Sequence, residues 1–297
     1  MTSLVIRTAQ DAIAAVPYLL GFHPSHSLVV LGFQGRSRGT CAIRLDLPAP
    51  GAAGHAAAVL SGNGFTRSLL LGYGPPGEVA EAAVPMRAAL DSAGVPVAEA
   101  IRVADGRWWS LTCDGPCCPP EGTPYDISSS AVAARAAFGG HVALADRAEL
   151  VASVQPLDGP ARTAMHRATD RAERRYLARP PSPAEEDLAF VLTLLRRARA
   201  GSSPSDDEVA WLGLLLTDLH VRDTTWMRAE EDDPSADIAF WRDIVRRVDP
   251  AHAPAPASLL AFAAYASGDG GLANVALQRA LDADPAYSMA VILREVV

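Results

Sequence analysis

The sequence contains no lysine, and its 26 permanently charged basic residues are all arginines. Together with the abundance of alanine, glycine and proline, this absence points to a GC-rich genome and not to a function. No apolar run approaches the roughly 18–20 residues that a membrane-spanning helix needs, so we expect no membrane partner. The first residues, MTSLVIRTAQDAIAAVPYLLG, lack a basic start followed by an uninterrupted apolar segment, so we expect no signal peptide.

The sequence also lacks a net positive charge. The formal net charge is −8 and the pI is about 5.4, which argues against a protein that mainly binds nucleic acid. The 297 residues, 49% of them hydrophobic and 20% charged, suffice for two folded domains. We expect a cytoplasmic protein whose thiols are reduced.

The first half of the chain alternates short apolar runs with alanine-rich helical stretches. Unbroken apolar runs at 28–31 and 69–71 favour strands that helices cover on both faces. The dipeptide Asp105-Gly106 predicts a hairpin. Residues 1–158 are therefore expected to form an α/β domain, a mixed sheet with flanking helices. Predicted strands cover 27–33, 40–47 and 67–73, and predicted helices cover 8–20, 52–60, 78–91, 129–138 and 147–154.

Strand signals disappear beyond Pro160, and residues 159–297 are expected to be all helical. The helix predicted to begin after Ser182 has acids in its first turn and arginines in its last, as helix ends favour. An arginine-rich helix over 162–179 is expected to be an exposed connector between the two halves.

Residues 254–287 resemble a tetratricopeptide-repeat hairpin. Gly268-Asp269 lies at the expected turn, and Asp284-Pro285 ends the second helix. Another Asp-Pro pair, Asp249-Pro250, precedes it by 35 positions (284 minus 249), near the period of about 34 for that repeat. Both a generic helical bundle with one such hairpin and a peptide-binding concave surface fit this pattern.

Three of the four cysteines lie within six residues, in WWSLTCDGPCCPPEGTPYD (108–126). Cys113, Cys117 and Cys118 have a C-x3-C-C spacing, which differs from the paired C-x2-C motifs of typical zinc sites. The trio is first expected to shape a stiff, proline-rich loop. A metal site, a redox pair of Cys113 with Cys117 or Cys118, and a nucleophilic cysteine are the alternatives.

A second candidate segment, GFHPSHS (21–27), carries two histidines between a helix and a strand. His23, His26 or Asp114 would complete a metal site with the cysteines, and His23 is also a candidate acid or base. The simpler interpretation is that Gly21 ends the helix and the histidines serve the loop structure.

Four segments together resemble a known family: VPYLLGFHPSHSLVVLG (16–32), the cysteine segment, VRD (221–223) and GDGGLANVALQRALDADP (268–285). They are similar to the actinobacterial family called domain of unknown function 4192. The resemblance covers most of the chain and implies no activity. Arg222 and Asp223 are expected to form a structural ion pair.

The sequence thus predicts a cytoplasmic interaction or regulatory protein whose helical C-terminal region binds a protein partner. One alternative is a metal-binding or redox protein or enzyme that uses Cys113, Cys117, Cys118 and His23. Another is a small-ligand sensor in the α/β cleft. No cofactor is expected, although zinc is the ion that the cysteines would take, and the pattern does not decide whether the protein is an enzyme.

Overall fold

The structure, a computed structural model, describes residues 6–35, 39–113, 115–127, 130–138, 142–180, 184–228 and 234–296. The chain divides into two units, Met1–Arg147 and Ala148–Val297. The domain limit that the sequence places after residue 158 stays a prediction. None of the helices within the described ranges combines the length and apolar character that crossing a bilayer requires.

A mixed sheet forms the centre of the first unit, as predicted. Its strands follow the order β2-β1-β3-β4-β5-β6. Only β3 and β4 run parallel, and every other neighbouring pair is antiparallel. The strands are β1 (Ser27–Phe33), β2 (Cys41–Asp46), β3 (Arg67–Tyr73), β4 (Val97–Ala104), β5 (Arg107–Ser110) and β6 (Thr123–Pro124).

Three helices pack on this sheet: α1 (Ala9–Leu20), α2 (Ala52–Gly62) and α3 (Pro76–Ser92). A fourth helix, α4 (Ala131–Phe138), packs on α1. Because side chains alternate along a strand, Leu28 and Val30 point to the opposite face from Val29 and Leu31, and all four are fully buried. The prediction of strands covered on both faces is therefore confirmed for β1. Leu28 and Val30 share their hydrophobic core with residues of α2 and α3.

Local signals fix several chain reversals in this unit. Thr8 caps α1 through a reciprocal capping box, and Gly21 ends the helix with a left-handed φ of 79°. Asp105 and Gly106 both have positive φ and join β4 to β5, which confirms the predicted hairpin. The helix predicted from 129 begins at Ala131; residue 129 lies outside the described ranges.

The regular secondary structure of the second unit, within its described residues, is helical. It contains α5 (Arg147–Ala152, whose first residue belongs to the first unit), α6 (Gly159–Ala178), α7 (Ala184–Arg199), α8 (Asp206–Leu215), α9 (Leu219–Met227), α10 (Pro234–Arg247), a short 3-10 turn (Pro250–His252), α11 (Pro254–Ala266), α12 (Gly270–Ala283) and α13 (Ser288–Arg294). The proposed cap Ser182 lies outside the described residues.

The arginine-rich helix α6 is not an isolated connector. One of its faces, which includes Met165, Ala168 and Ala172, is buried, and the helix packs against α8 within the helical unit. The expectation of a connector between the two halves was wrong, because the whole of α6 belongs to the helical unit. The expected exposure is confirmed for Arg167, Arg171, Arg174 and Arg175, whereas periodic small and apolar residues between the arginines give α6 a core-facing side.

The first turn of α8 links several helices by charge. Its three consecutive acids each pair with an arginine from a different helix: Asp206 with Arg247 of α10, Asp207 with Arg171 of α6, and Glu208 with Arg197 of α7. Glu208 also accepts a hydrogen bond from the backbone N–H of Ser205, the N-cap residue, at 2.8 Å. The acids are therefore favoured by the helix N-terminus as well as by the arginines.

The C-terminal segment contains the predicted helical hairpin. Helices α11 and α12 pack closely on each other, with Gly268 at a left-handed φ of 86° and Asp269 capping α12. The assignment of this hairpin to the tetratricopeptide type stays a prediction.

The ion pair expected between Arg222 and Asp223 is confirmed on α9, where Arg222 donates to Asp223 at 2.7 Å.

Gly72 of β3 provides a test of how closely α3 packs on the sheet. A Cβ at this position would lie 2.2 Å from Cγ1 of Val79, a fully buried residue of α3. We expect Gly72→Ala to lower the free energy of unfolding by about 1–3 kcal/mol, because the helix must move away. Thermal and denaturant unfolding measure the change. Gly77→Ala is the control, since nothing lies within 4 Å of its added Cβ; equal losses in both variants would contradict this packing.

Glu208 provides a pH-dependent test of the charge links at α8. The hydrogen bond from Arg197 lowers the pKa of Glu208, so its stabilisation is present at neutral pH and disappears as the pH falls through that lowered value. Glu208→Gln keeps an acceptor for Ser205 but loses the ion pair. We expect it to lose about 0.5–1 kcal/mol of stability at pH 7 and less than that at pH 3, because protonation of Glu208 removes the charge of the ion pair.

Unfolding curves at both pH values test this expectation, with the exposed Glu185→Gln as the control. A loss that is the same at pH 3 and pH 7 would show that the charge of Glu208 does not contribute.

Candidate functional site

The cysteine loop connects β5 to β6. The backbone N–H of Leu111 donates to the carbonyl of Ala100 at 2.8 Å, so pairing with β4 continues just beyond the end of β5. The chain then turns around Ser110, whose Oγ accepts hydrogen bonds from the backbone N–H groups of Thr112 and Cys113 at 3.2 and 3.1 Å. Cys113 is therefore positioned by the last residue of a strand.

Three cysteine sulfur atoms converge in this loop. The Sγ atoms of Cys113 and Cys117 are 3.6 Å apart, and those of Cys117 and Cys118 are 3.8 Å apart. All three Sγ atoms lie within 4.8 Å of one another. The spacing exceeds that of a disulfide bond, about 2.05 Å, so the three side chains are thiols in mutual contact.

Backbone hydrogen bonds explain how neighbouring cysteines reach one point. The N–H of Gly115 donates to the Sγ of Cys113 at 3.4 Å, and the carbonyl of Gly115 accepts from the N–H of Cys118 at 2.9 Å. A Cβ on Gly115 would lie 3.4 Å from the Sγ of Cys113 and 3.7 Å from that of Cys117. Gly115 thus forms the inner side of the turn around which the sulfurs gather.

The three thiols differ in exposure. Cys117 is exposed, whereas Cys113 and Cys118 are half-buried. The hydrogen bond with Cys113, then burial and the hydrogen bond with Cys117, raise the pKa of Cys118 to about 11. Without a cation the Cys118 thiol therefore keeps its proton at neutral pH; a bound cation would favour the thiolate instead.

Cys41 contrasts with this group. It lies on β2, half-buried, and packs against the hydrophobic core beneath α2 and α3. Burial raises the pKa of its thiol. Cys41 therefore behaves as a small hydrophobic residue, as buried thiols usually do.

The far end of the loop is attached to the sheet. Trp109 donates from Nε1 to the carbonyl of Pro120 at 3.0 Å, and Arg107 donates to the carbonyl of Gly122 at 2.7 Å. Gly122 has a φ of 79°, and a Cβ there would come within 2.5 Å of the Trp109 ring. The guanidinium carbon of Arg102 lies 3.7 Å from the centroid of the Trp109 ring, so a cation–π contact supports the indole from β4.

The histidines proposed as ligands do not join the sulfurs. Among the residues that the structure describes, the metal-ligand group contains the three cysteines and no histidine or carboxylate. His23 is exposed, and its backbone N–H donates to the carbonyl of Leu144 at 3.0 Å. His26 pairs with Glu78 at 3.0 Å. Asp114 lies outside the described residues.

Some residues that build the site were not identified from the sequence. Ser110 directs the turn through its Oγ, which accepts from the backbone N–H of Cys113, and Gly115 does so through its N–H, which donates to Cys113 Sγ. Trp109 with Arg102 fixes the loop to the sheet. The Cys-x-Gly spacing at 113–115 was the available signal for the N–H···S contact. No sequence signal paired Arg102 with Trp109, because that pairing depends on the register of β4 and β5.

The small-ligand alternative concerns the carboxyl ends of the parallel strands β3 and β4. Polar groups near this edge contact one another: Arg102 donates to the carbonyl of Gly74 at 3.3 Å, and His26 pairs with Glu78 in the first turn of α3. A ligand-sensing role there stays a prediction.

Comparison with known proteins gives a family but no relative of known activity. No curated protein matches the sequence, and no solved structure matches it. The family model described as domain of unknown function (DUF4192) matches residues 10–297, nearly the whole chain. The resemblance inferred from the sequence motifs is confirmed, whereas the actinobacterial origin stays a prediction. The chain therefore belongs to the family of the domain of unknown function DUF4192.

Proposed function

We propose that the cysteine loop binds a thiophilic metal ion, with Zn²⁺ as the preferred ion and Cys113, Cys117 and Cys118 as its protein ligands. The observation that supports this proposal is the convergence of three Sγ atoms within 4.8 Å of one another. Thiolate sulfur is the ligand type that selects zinc and other soft ions over magnesium and calcium.

The sulfur separations fit the size of a zinc site. Four ligands at about 2.3 Å in a tetrahedron place neighbouring sulfurs roughly 3.8 Å apart. The two neighbouring pairs in the loop are at 3.6 and 3.8 Å. Coordination by three sulfurs therefore requires little movement of the chain and mainly the loss of thiol protons.

The surroundings of the trio favour a ligand role over a purely hydrophobic one. Cys117 is exposed, and the three thiols contact one another, whereas Cys41 packs among apolar side chains of the core. The backbone N–H of Gly115 already donates to Cys113 Sγ, a contact that would orient and stabilise a thiolate ligand. In the reducing cytoplasm where we place the protein, the thiols would be available to a metal.

Three protein thiolates leave one position of a tetrahedral ion for water or for a further donor. With Zn²⁺, three thiolates give the centre a net charge of −1. Bound zinc would tie Cys113, which follows β5, to Cys117 and Cys118. Since residues 120–122 are already held by Trp109 and Arg107, this link would fix the whole connection between β5 and β6.

Metal titration of the full-length protein tests this function. We expect one equivalent of Zn²⁺, measured by competition with a chromophoric chelator and by native mass spectrometry. Removing a group that only hydrogen-bonds to a metal ligand typically lowers the metal affinity roughly 10–100-fold. Removing a ligand itself should cost more, so we expect the zinc affinity to fall at least about 100-fold in each of Cys113→Ser, Cys117→Ser and Cys118→Ser.

Cys41→Ser is the matched control and should bind as the unchanged protein does, because Cys41 lies outside the sulfur group. Circular dichroism verifies the fold of each variant. Absence of stoichiometric zinc, or equal binding by all four variants, would refute the metal site.

A second candidate function is binding of a protein partner by the helical unit. Among its described residues, large apolar side chains are exposed on or directly after four helices: Leu177 of α6, Leu219 and Met227 of α9, Tyr265 of α11, Ile292 of α13, and Val296. The rings of Trp226 and Phe262 join α9 to α11 at a centroid distance of 5.4 Å, and Arg222 donates to the hydroxyl of Tyr287, next to α13, at 3.1 Å. Exposed apolar residues on mutually packed helices support an interaction surface.

Parallel affinity capture tests this second function. The full-length chain is compared with Met227→Glu and Ile292→Glu, and Val84→Glu, at an exposed apolar position of α3, is the control. We expect a partner that the unchanged chain and the control recover and that the two helical-unit variants lose, since a charge within an apolar contact is costly. The same captured proteins with all four chains would contradict the surface.

A further inference from the structure

We propose that the metal site is controlled by thiol–disulfide exchange: a low-molecular-weight disulfide converts Cys113 and Cys117 into an intramolecular disulfide and thereby releases the metal. Release of a metal rests on the proposed function, whereas formation of the disulfide rests on the geometry of the thiols alone.

The distances single out Cys113 and Cys117 as the pair. Their Sγ atoms, at 3.6 Å, need to approach by about 1.5 Å to reach the length of a disulfide bond. Three residues separate the two cysteines in sequence, and Gly115 between them carries no side chain to obstruct the approach.

The adjacent pair Cys117 and Cys118 is disfavoured by backbone geometry. Cα atoms across a trans peptide are about 3.8 Å apart, whereas disulfides join Cα atoms about 4.4–6.8 Å apart. Closing this pair would strain the peptide between them. Cys118 is therefore expected to remain a thiol, although its Sγ lies only 3.8 Å from that of Cys117.

Exposure sets the order of events, because Cys117 is exposed and Cys113 is half-buried. The thiolate of Cys117 attacks one sulfur of the small disulfide, which forms a mixed disulfide and expels one small thiolate. The thiolate of Cys113 then attacks the Sγ of Cys117, forms the Cys113–Cys117 bond and expels the second small thiolate. Two protein sulfurs are oxidised by two electrons in total, and one small disulfide is reduced to two small thiolates. In metal-free protein these thiolates take up the protons that the protein thiols have lost. In zinc-loaded protein they take protons from water as Zn²⁺ leaves.

The oxidised loop would retain Cys118 alone among the three proposed ligands. A single thiolate does not complete the coordination that zinc requires, so the ion leaves. The contacts of Trp109 with Pro120 and of Arg107 with Gly122 involve no sulfur and hold the far end of the loop in both states. The change is therefore local and reversible by a reducing thiol.

Zinc-loaded full-length protein, treated with glutathione disulfide as the probe, tests the proposal. We expect release of one zinc per chain, detected with a chromophoric chelator, and a loss of two hydrogens from the intact mass. Peptide mapping after alkylation should join Cys113 to Cys117 and find Cys118 and Cys41 alkylated. Dithiothreitol with added zinc should restore the starting state.

Variants separate the roles of the thiols. Cys118→Ala should still form the internal disulfide, whereas Cys113→Ala should stop at a mixed disulfide on Cys117. Cys41→Ala should match the unchanged protein. A linkage that involves Cys118, or zinc release without any linkage, would overturn the proposal.

Metal-free protein treated in parallel distinguishes the two proposals. Formation of the Cys113–Cys117 bond in a chain that never retains zinc would refute the metal site while supporting the exchange reaction. Retention of zinc by a chain that forms no such bond would support the metal site and refute its control by oxidation.

Discussion

Contact among three thiols in one solvent-accessible turn is the constraint on which this account depends. Thiol sulfurs at 3.6 and 3.8 Å have three chemical outcomes: they remain protonated, share a metal ion, or form a disulfide. Thiols that only remain protonated do not need to lie next to one another in an exposed loop. Cys41 shows the alternative, a single thiol that packs against the hydrophobic core. The turn around Gly115 instead presents the sulfurs at the spacing of metal ligands.

The sheet gives this turn its rigidity. Ser110 ends β5 and directs Cys113, and Trp109, supported by Arg102, holds the returning chain at Pro120. Both ends of the loop therefore depend on the register of β4 and β5, which the Asp105-Gly106 turn defines. A change of that register by one residue would move Trp109 to the other face of the sheet and release the loop.

Arginine carries all the basic charge of this chain, and the helical unit uses its planar side chain for paired contacts. Arg179 contacts both carboxylate oxygens of Asp187, at 2.8 and 2.9 Å, and Arg199 does the same with Asp237, at 2.9 and 2.8 Å. Both carboxylates are buried. Such forked contacts fit the geometry of guanidinium better than that of a lysine ammonium. The absence of lysine was interpreted above as a sign of a GC-rich genome. In the helical unit the arginines that stand in its place also form these forked ion pairs.

Sequence patterns were sufficient where local interactions dominate. Apolar runs predicted β1 and β3, Asp105-Gly106 predicted the hairpin, and Gly21 predicted the end of α1. The clustering of the cysteines in sequence also indicated the site. The geometry of the site could not be predicted, because the sulfur distances depend on hydrogen bonds at Ser110 and Gly115 that no periodicity reveals. His23 was proposed because it lies with His26 in the connection between a helix and a strand, and tertiary structure places it outside the sulfur group.

X-ray absorption at the zinc edge is the most direct test of the central claim, since it reports the ligands of the ion itself. We expect three sulfur neighbours at about 2.3 Å and one lighter oxygen or nitrogen neighbour, with the sulfur shell reduced to two in Cys117→Ser. A first shell of oxygen and nitrogen atoms, or one with no dependence on Cys117, would contradict it.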